Sequence, residues 1–131
     1  MSATWTDDEL RHVGAATELQ IATRRDDGSL RPYVTIWTVQ AGDHLYVRSA
    51  YGADNPWFRR ATASGSGRIR AGGIERDVIF TPVSELDAAT QAAVDAAYHA
   101  KYDRYGEQIV GTVTGAHAAP VTLRLVPQDA S

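Results

Sequence analysis

Residues 31–60 constrain the fold of this chain more than any other segment. The segment contains two runs rich in β-branched and aromatic residues, RPYVTIWTVQ and HLYVRS, separated by a turn at Gly42-Asp43. This pattern is typical of a β-hairpin. A short loop follows, and Asn55-Pro56 then marks a helix start, because asparagine suits the N-cap and proline suits the first helical position. The segment therefore predicts strand, strand, loop and helix.

Hydrophobic periodicity and turn residues predict the remaining elements of a single domain over residues 1–131. Residues 1–16 form a helix and lead-in, in which Thr6 to Glu9 is a capping box, and residues 18–127 form the body. One long helix is predicted over 86–105 from apolar residues at three- and four-residue spacing. Six strands are predicted, over residues 18–23, 31–40, 44–49, 68–71, 74–82 and 121–126.

The order of these elements indicates the fold class. The strands come mostly as hairpins, and there is no regular alternation of strand and helix. We therefore predict a mainly β, α+β fold, in which a six-stranded antiparallel barrel carries peripheral helices.

Composition argues against several classes of function. The net charge of -3 argues against non-specific binding of nucleic acid, which needs a basic face. No apolar run approaches the roughly 20 residues of a membrane span, and the start of the chain has no signal segment, so we expect a cytoplasmic protein. The chain has no cysteine, and its four histidines lack the spacing of metal ligands. No metal, nucleic-acid or membrane partner is predicted.

The loop between the third strand and the helix at Pro56 is a candidate anion site. Ser49 offers a hydroxyl, and the loop and the helix N-terminus offer backbone N–H groups. Arg48, Arg59 and Arg60 flank the loop. The alternative is an ordinary strand-to-helix turn, and we favour the anion site because three arginines converge on one short stretch.

The first hairpin carries a second group of arginines. Its turn brings Arg24 or Arg25 near Arg31, and two guanidinium groups can clamp a phosphate or a carboxylate. In the alternative interpretation these arginines pair in solvent with Asp26 and Asp27. The pattern alone does not favour either interpretation.

Aromatic residues form a third group of candidates. Tyr33, Thr35 and Trp37 share one face of the predicted strand, where they either pack in the core or stand beside a flat heterocycle. Tyr102 and Tyr105 lie at the end of the long helix, where their hydroxyls could reach a cavity mouth. As a bare pattern, core packing is the more common explanation for such a strand face.

The runs RRDDGSLRPYVTIW, GDHLYVRSAYGADNPWFRRA, AAYHAKYDRYG and VTLRLVP resemble the FMN-binding split-barrel proteins. Within that superfamily the chain is most similar to the small deazaflavin-dependent nitroreductases and to a related family of bacterial proteins. The resemblance covers most of residues 18–127. It implies a split β-barrel, often a homodimer, with a flavin or deazaflavin lying against the second and third strands.

The resemblance also implies roles for the residues that match. Basic residues surround the first hairpin: Arg24, Arg25 and Arg31. The loop that receives the ribityl-phosphate tail is Ser49, Ala50, Tyr51 and Gly52. The helix behind it contributes Trp57 and Arg60, and the tyrosines that close over substrate are Tyr102 and Tyr105. Thr35, Trp37 and Arg48 complete the cofactor-binding candidates from the strand pattern alone.

These expectations predict a flavin- or deazaflavin-dependent oxidoreductase that binds FMN or a deazaflavin coenzyme and transfers a hydride to a small organic acceptor. Tyr102 or Tyr105 would contact the substrate or supply a proton. The alternative is a non-enzymatic split barrel that binds a small ligand or another protein. Asp26, Asp27 and the lack of a lysine in the loop favour this alternative, since carboxylates repel a phosphate.

Overall fold

Seven antiparallel strands form one sheet in the computed structural model, which describes residues 4–50 and 52–128. The strands are β1 (Leu19–Thr23), β2 (Val34–Ile36), β3 (Val39–Ala41), β4 (His44–Arg48), β5 (Ser66–Ala71), β6 (Ile74–Pro82) and β7 (Thr122–Pro127). Their order across the sheet is β2-β1-β5-β6-β7-β4-β3.

Four α-helices accompany the sheet in the described part of the chain: α1 (Asp7–Ala15), α2 (Pro56–Ser64), α3 (Ala88–Tyr102) and α4 (Glu107–Val110). Short 3₁₀ turns cover Asp103–Tyr105 and Ala119–Val121. The predicted capping box of α1 is present, because the Thr6 hydroxyl accepts from the N–H of Glu9 and the Glu9 carboxylate accepts from the N–H of Thr6. None of the helices described is long and apolar enough to span a membrane.

The connection between β2 and β3 explains why the sheet closes into a barrel. These strands are consecutive in the chain, yet they occupy opposite edges of the sheet. Only Trp37 and Thr38 separate them, and a link of this length spans at most about 11 Å. The sheet must therefore curl until its edges approach, although the edges do not pair. This geometry confirms the predicted α+β split barrel.

The predicted strand over residues 31–40 is wrong as a single element. The chain leaves the first strand partner after Ile36 and joins another at Val39. Thr38 is 0% exposed, and its N–H donates to the hydroxyl of Tyr102 at 3.2 Å instead of joining a ladder. Residues 33–39 are β-branched or aromatic throughout, and these residue types favour a strand, so the sequence does not reveal the change of partner. This division accounts for seven strands where six were predicted.

The long helix is shorter than predicted at both ends. Asp87 is its N-cap, accepting from the N–H of Thr90, and Leu86 lies before the helix with 89% of its surface exposed. The α-helical part ends at Tyr102, and the chain continues in a 3₁₀ turn. The buried face consists of Gln91, Val94, Tyr98 and Tyr102.

The core has two parts. The larger part fills the barrel between the strands, α1 and α2, and its fully buried residues include Leu19, Ile21 and Leu123. The smaller part lies between α3 and the hairpin β3–β4, where Tyr98 and Tyr102 are 0% exposed. The smaller core therefore attaches the long helix to the side of the barrel that contains the break.

The hydroxyl of Tyr102 forms hydrogen bonds with the connection between β2 and β3. We call this connection, Trp37 and Thr38, the seam. The hydroxyl accepts from the N–H of Thr38 and lies 2.7 Å from the carbonyl oxygen of Thr17 and 3.0 Å from that of Thr38. Lys101 Nζ donates to the same Thr38 oxygen at 2.7 Å. The seam residues thus obtain from α3 the hydrogen bonds that a neighbouring strand would otherwise supply.

We expect the variant Y102F to lose about 1–3 kcal/mol of unfolding free energy, because the buried N–H of Thr38 loses its acceptor. Denaturant unfolding followed by circular dichroism measures the loss. The matched control is Y105F, since Tyr105 is 42% exposed and its hydroxyl contacts only Arg104 among the described residues. A similar change in the two variants would contradict the role assigned to the seam.

A second prediction concerns pH. Burial lowers the pKa of Lys101 from 10.5 to about 8. Above the lowered pKa the unfolded chain holds a proton that the folded chain has released, so stability from this residue rises with pH. We expect wild type to gain stability relative to K101M between about pH 8 and pH 9.5, a range that ends below the ordinary tyrosine pKa of about 10. Parallel pH profiles of unfolding free energy would contradict the prediction.

Candidate functional site

A cavity of about 290 Å³ opens at the slit of the barrel, between β2, the loop after β4 and the segment around α4. Its lining residues are Val34, Thr35, Ile36, Trp37, Arg48, Ala50, Asn55, Trp57, Ile109, Thr112 and Val113. Aromatic and aliphatic side chains predominate, with a few polar groups among them. This composition is typical of small-molecule sites, and we call this space the slit cavity.

The slit cavity collects five of the predicted cofactor-binding residues: Thr35, Trp37, Arg48, Ala50 and Trp57. They come from β2 and the seam, from the end of β4 and the loop after it, and from the first turn of α2. These elements are local in sequence, since all lie within residues 31–60. Curling of the sheet at the seam brings the edge strand β2 opposite α2, so the segment folds around a common space.

Trp37 forms the aromatic wall of the slit cavity. Its ring stacks on Tyr102 with centroids 4.0 Å apart and an interplanar angle of 5°. Tyr105 approaches the same indole at 5.5 Å with a tilt of 39°. The stack holds the indole in one orientation, because Tyr102 is itself fixed by hydrogen bonds to Thr38 and Thr17.

Tyr102 therefore requires a correction as a predicted catalytic residue. Its side chain is 0% exposed, and burial raises its pKa to about 12. A hydroxyl that is enclosed and engaged with backbone groups of Thr17 and Thr38 does not reach a cavity mouth. Tyr105 is 42% exposed, so of the two tyrosines only Tyr105 presents its hydroxyl at the surface near Trp37.

Arg48 also requires a correction, because its guanidinium is an interior group. The residue is 2% exposed, and each of its five N–H donors has an acceptor inside the protein. The acceptors are Thr122 Oγ1 (2.9 Å), the Val113 carbonyl (2.9 Å), the Asp95 carboxylate, Gln91 Oε1 (2.6 Å) and the Gln91 carbonyl (3.4 Å). No donor remains for a cofactor phosphate. Arg48 instead ties β4 to β7, α3 and the segment after α4.

Tyr98 lies beside this network. Its ring centroid is 5.7 Å from the Arg48 guanidinium carbon, and burial raises the pKa of its hydroxyl. The hydroxyl has no hydrogen-bond partner among the described residues. Buried polar groups of Arg48 and Tyr98, and not only aliphatic side chains, therefore lie beneath the slit cavity.

The first-hairpin arginines do not line the slit cavity. Arg24 donates to the carboxylate of Asp77 at 2.9 Å, and Arg25 donates to the carbonyl of Leu30 at 2.9 Å. Arg31 bonds through its backbone to Thr23, and its buried Nε has no partner in the described chain. The predicted clamp of Arg24 or Arg25 with Arg31 is therefore not assembled around the cavity.

Asp27 of the first turn has other hydrogen-bond partners than the arginines predicted for it. Asp27 accepts from the N–H and the hydroxyl of Ser29, and these bonds lower the pKa of its carboxyl. The acidic partner of Arg24 is Asp77 on β6, whose pKa is lowered chiefly by a hydrogen bond from Arg68. Sequence reasoning missed Asp77 because its pairing depends on strand register.

The predicted phosphate loop forms an internal hydrogen bond in the part that the structure describes. Ser49 is 0% exposed and its hydroxyl donates to the carbonyl of Gly52 at 2.6 Å. Tyr51 lies outside the described residues. Asn55 makes no side-chain cap bond to α2, and Arg60 is exposed on that helix without lining the cavity. The positions of the Ser49 hydroxyl and of Arg60 therefore do not indicate an assembled anion site.

The wall formed by Ile109, Thr112 and Val113 was not predicted. None of the elements predicted from the sequence covers residues 107–119, yet α4 and the turn after it cover one side of the slit cavity. The apolar pair Ile109-Val110 was the available signal, since Val110 is buried while Ile109 is 49% exposed. Within the described residues, no group of three His, Cys, Asp or Glu side chains is placed to hold a metal ion.

Comparison with known proteins identifies a family and a fold. The sequence model of the family described as "Uncharacterized protein conserved in bacteria (DUF2255)" matches residues 9–125. No curated protein sequence matches the chain.

Solved structures that are similar to this one include a reductase, a FAD-binding protein and a heme storage protein. An F420 reductase is 16% identical over 91% of this chain and 92% of its own, with a TM-score of 0.54. A FAD-binding protein from Mesorhizobium loti is 18% identical over 98% and 94%, with a TM-score of 0.59. The heme storage protein HutZ from Vibrio cholerae is 18% identical over 94% and 88%, with a TM-score of 0.64. At these identities the similarity shows a shared split-barrel fold.

We expect R48M to lose about 3–5 kcal/mol of unfolding free energy, because the Asp95 carboxylate and the buried oxygens lose their common donor. The matched control is R60M on the exposed surface of α2, for which we expect a change within about 0.5 kcal/mol. Urea denaturation of both variants measures the difference. Equal small losses would show that the Arg48 network contributes little to the fold.

Proposed function

We propose, from the premise that the chain belongs to the bacterial DUF2255 family and has a split-barrel fold, that it is a flavin- or deazaflavin-dependent oxidoreductase. In this proposal the slit cavity holds the cofactor ring, and a small organic acceptor receives a hydride. The proposal depends on one observation: two tryptophans and several aliphatic side chains line the same cavity. These residues are Trp37, Trp57, Val34, Ile109 and Val113. Such walls suit a flat, largely apolar ring.

The size of the slit cavity fits a ring better than a complete cofactor. Ligand sites are usually about 300–1,000 Å³, and the slit cavity measures about 290 Å³. A phosphate-bearing tail would therefore extend outside it, towards the loop that ends at Asn55. When bound, the cofactor ring supplies the hydride chemistry, and the protein supplies binding and orientation.

The chemistry of the lining favours a flavin-type ring over heme, the group that HutZ is described as storing. Heme iron is held by His, Cys, Met or Tyr side chains. None of the described residues that line the slit cavity is of these types. Trp37, in contrast, offers an indole that is already oriented by its stack on Tyr102.

Tyr105 is the residue that we propose to contact the substrate. Its ring lies 5.5 Å from that of Trp37, and the residue is 42% exposed. Its hydroxyl accepts from Arg104 at 3.2 Å, so the O–H of Tyr105 can donate a hydrogen bond to a substrate. We also propose a homodimer in which a second copy covers the exposed apolar rim at Val34 and Ile109.

A second candidate function is binding of a neutral small ligand without redox chemistry. The observation that favours it is the dispersal of the predicted tail ligands, since Arg24 pairs with Asp77 and Arg60 does not line the cavity. An uncharged ligand needs no such clamp. This alternative retains the slit cavity as the site and omits the phosphate contacts.

The two functions differ in cofactor titrations. Purified protein is titrated with FMN and with the 8-hydroxy-5-deazaflavin coenzyme, and binding is followed by fluorescence quenching and by the absorbance spectrum. The oxidoreductase proposal expects saturable binding of one of the two in the micromolar range or tighter. Failure of both to bind would overturn it and leave the neutral-ligand function.

Substitutions of two exposed isoleucines test whether the cofactor binds in the slit cavity. We expect I109E to weaken cofactor binding at least about tenfold, which is about 1.4 kcal/mol, because a carboxylate enters an apolar wall and repels an anionic cofactor. The matched control is I79E, since Ile79 is 42% exposed but lies on β6 away from the slit cavity. Unchanged affinity in I109E would place the cofactor elsewhere.

A further inference from the structure

Lys101 is unusual in both composition and position. It is the one lysine among 13 lysine and arginine residues, and it lies near the C-terminal end of α3. The proposed redox function does not use it. Since it is partly buried rather than extended into solvent, its surroundings can alter the chemistry of the amine.

The amine of Lys101 has few partners. Nζ donates to the carbonyl of Thr38 at 2.7 Å and lies 5.1 Å from the centroid of the Tyr102 ring. No carboxylate of the described residues forms an ion pair with it. An ammonium group has three donors, so the charged form is poorly satisfied here. Burial accordingly lowers the pKa of Lys101 to about 8.

An open cavity of about 300 Å³ adjoins Lys101. Its other lining residues are Gly14, Val39, Gln40, Ala97 and Ala100. The side chains are small or aliphatic except for the neutral amide of Gln40. This amide is packed tightly against α1, since a Cβ at Gly14 would lie 2.7 Å from its oxygen. We call this space the lysine cavity, and none of its lining residues lines the slit cavity.

We propose that Lys101 is a covalent capture site for small aliphatic aldehydes, which it binds as reversible imines within the lysine cavity. The neutral amine can keep one N–H on the Thr38 carbonyl while its lone pair remains available. The lone pair attacks the aldehyde carbon, the C=O π electrons move to oxygen, and a proton passes from nitrogen to oxygen. Loss of water from this carbinolamine gives the imine, so the step consumes no oxidant or reductant.

The residues that line the lysine cavity favour an aldehyde over carbon dioxide as the group that reacts with Lys101. Carbon dioxide would give an anionic carbamate, which requires cations or several donors. Apart from Lys101 itself, no cationic side chain lines the lysine cavity. An imine of a short aliphatic aldehyde is compact and apolar beyond its nitrogen, and it matches Val39, Ala97 and Ala100.

Reductive trapping tests the proposal in the intact protein. The R59K variant carries a second amine on the exposed surface of α2, so both amines react in one tube. Protein is treated with propanal and cyanoborohydride near pH 7.5, and peptide mass mapping separates the two sites from the N-terminal amine. We expect Lys101 to be alkylated at least about tenfold faster than the amine at position 59, since far more of it is uncharged at this pH.

Two further variants separate the cavity from the amine. K101R is expected to lose the fast site completely. In the R59K background, A100F at the exposed edge of the lysine cavity is expected to lower the rate ratio at least about threefold, and circular dichroism checks its fold. Equal rates at positions 101 and 59 in R59K would overturn the capture site. An unchanged ratio in A100F would overturn the role of the cavity.

Discussion

The hydrogen bonds of the Tyr102 hydroxyl to the seam are the interaction on which the rest of this structure depends. Two residues connect opposite edges of the sheet, so their backbone groups cannot join a ladder. Thr38 is nevertheless 0% exposed, and a buried polar group without a partner costs about 1–3 kcal/mol. Tyr102 and Lys101 bring partners to the seam from α3. The same tyrosine orients Trp37 by stacking, so closing the barrel and shaping the slit cavity have one cause.

A second polar layer acts at the base of the slit cavity. Arg48 brings together acceptors from α3, β7 and the segment after α4. An arginine here can satisfy five acceptor contacts in one plane, which neither lysine nor an apolar residue can do. Its charge is balanced by Asp95, which is 34% exposed, so the desolvation cost falls mainly on one partner. The residue thus acts as an interior connector, although its position beside a loop suggested an anion ligand.

How much of the candidate site could be predicted depends on the range of the interactions involved. Thr35, Trp37, Ala50 and Trp57 were recognised because one short segment carries all of them. The function of a polar group depended instead on distant partners. Arg24 bonds to Asp77 across 53 positions, and Arg48 to Gln91 across 43. Sequence patterns report residue type and spacing, but they do not report which long-range acceptor an arginine will meet.

The sequence by itself determined the local elements, the α+β class and the segment around which the slit cavity forms. Turn residues, caps and periodicity act within a few residues, so they can be interpreted without a fold. Only the tertiary structure decided that residues 31–40 divide between two sheet edges, that Tyr102 is enclosed and that α4 supplies a cavity wall. The physical reason is that burial and hydrogen-bond partners are properties of the closed barrel, and its closure depends on contacts between α3 and a seam more than 60 positions away.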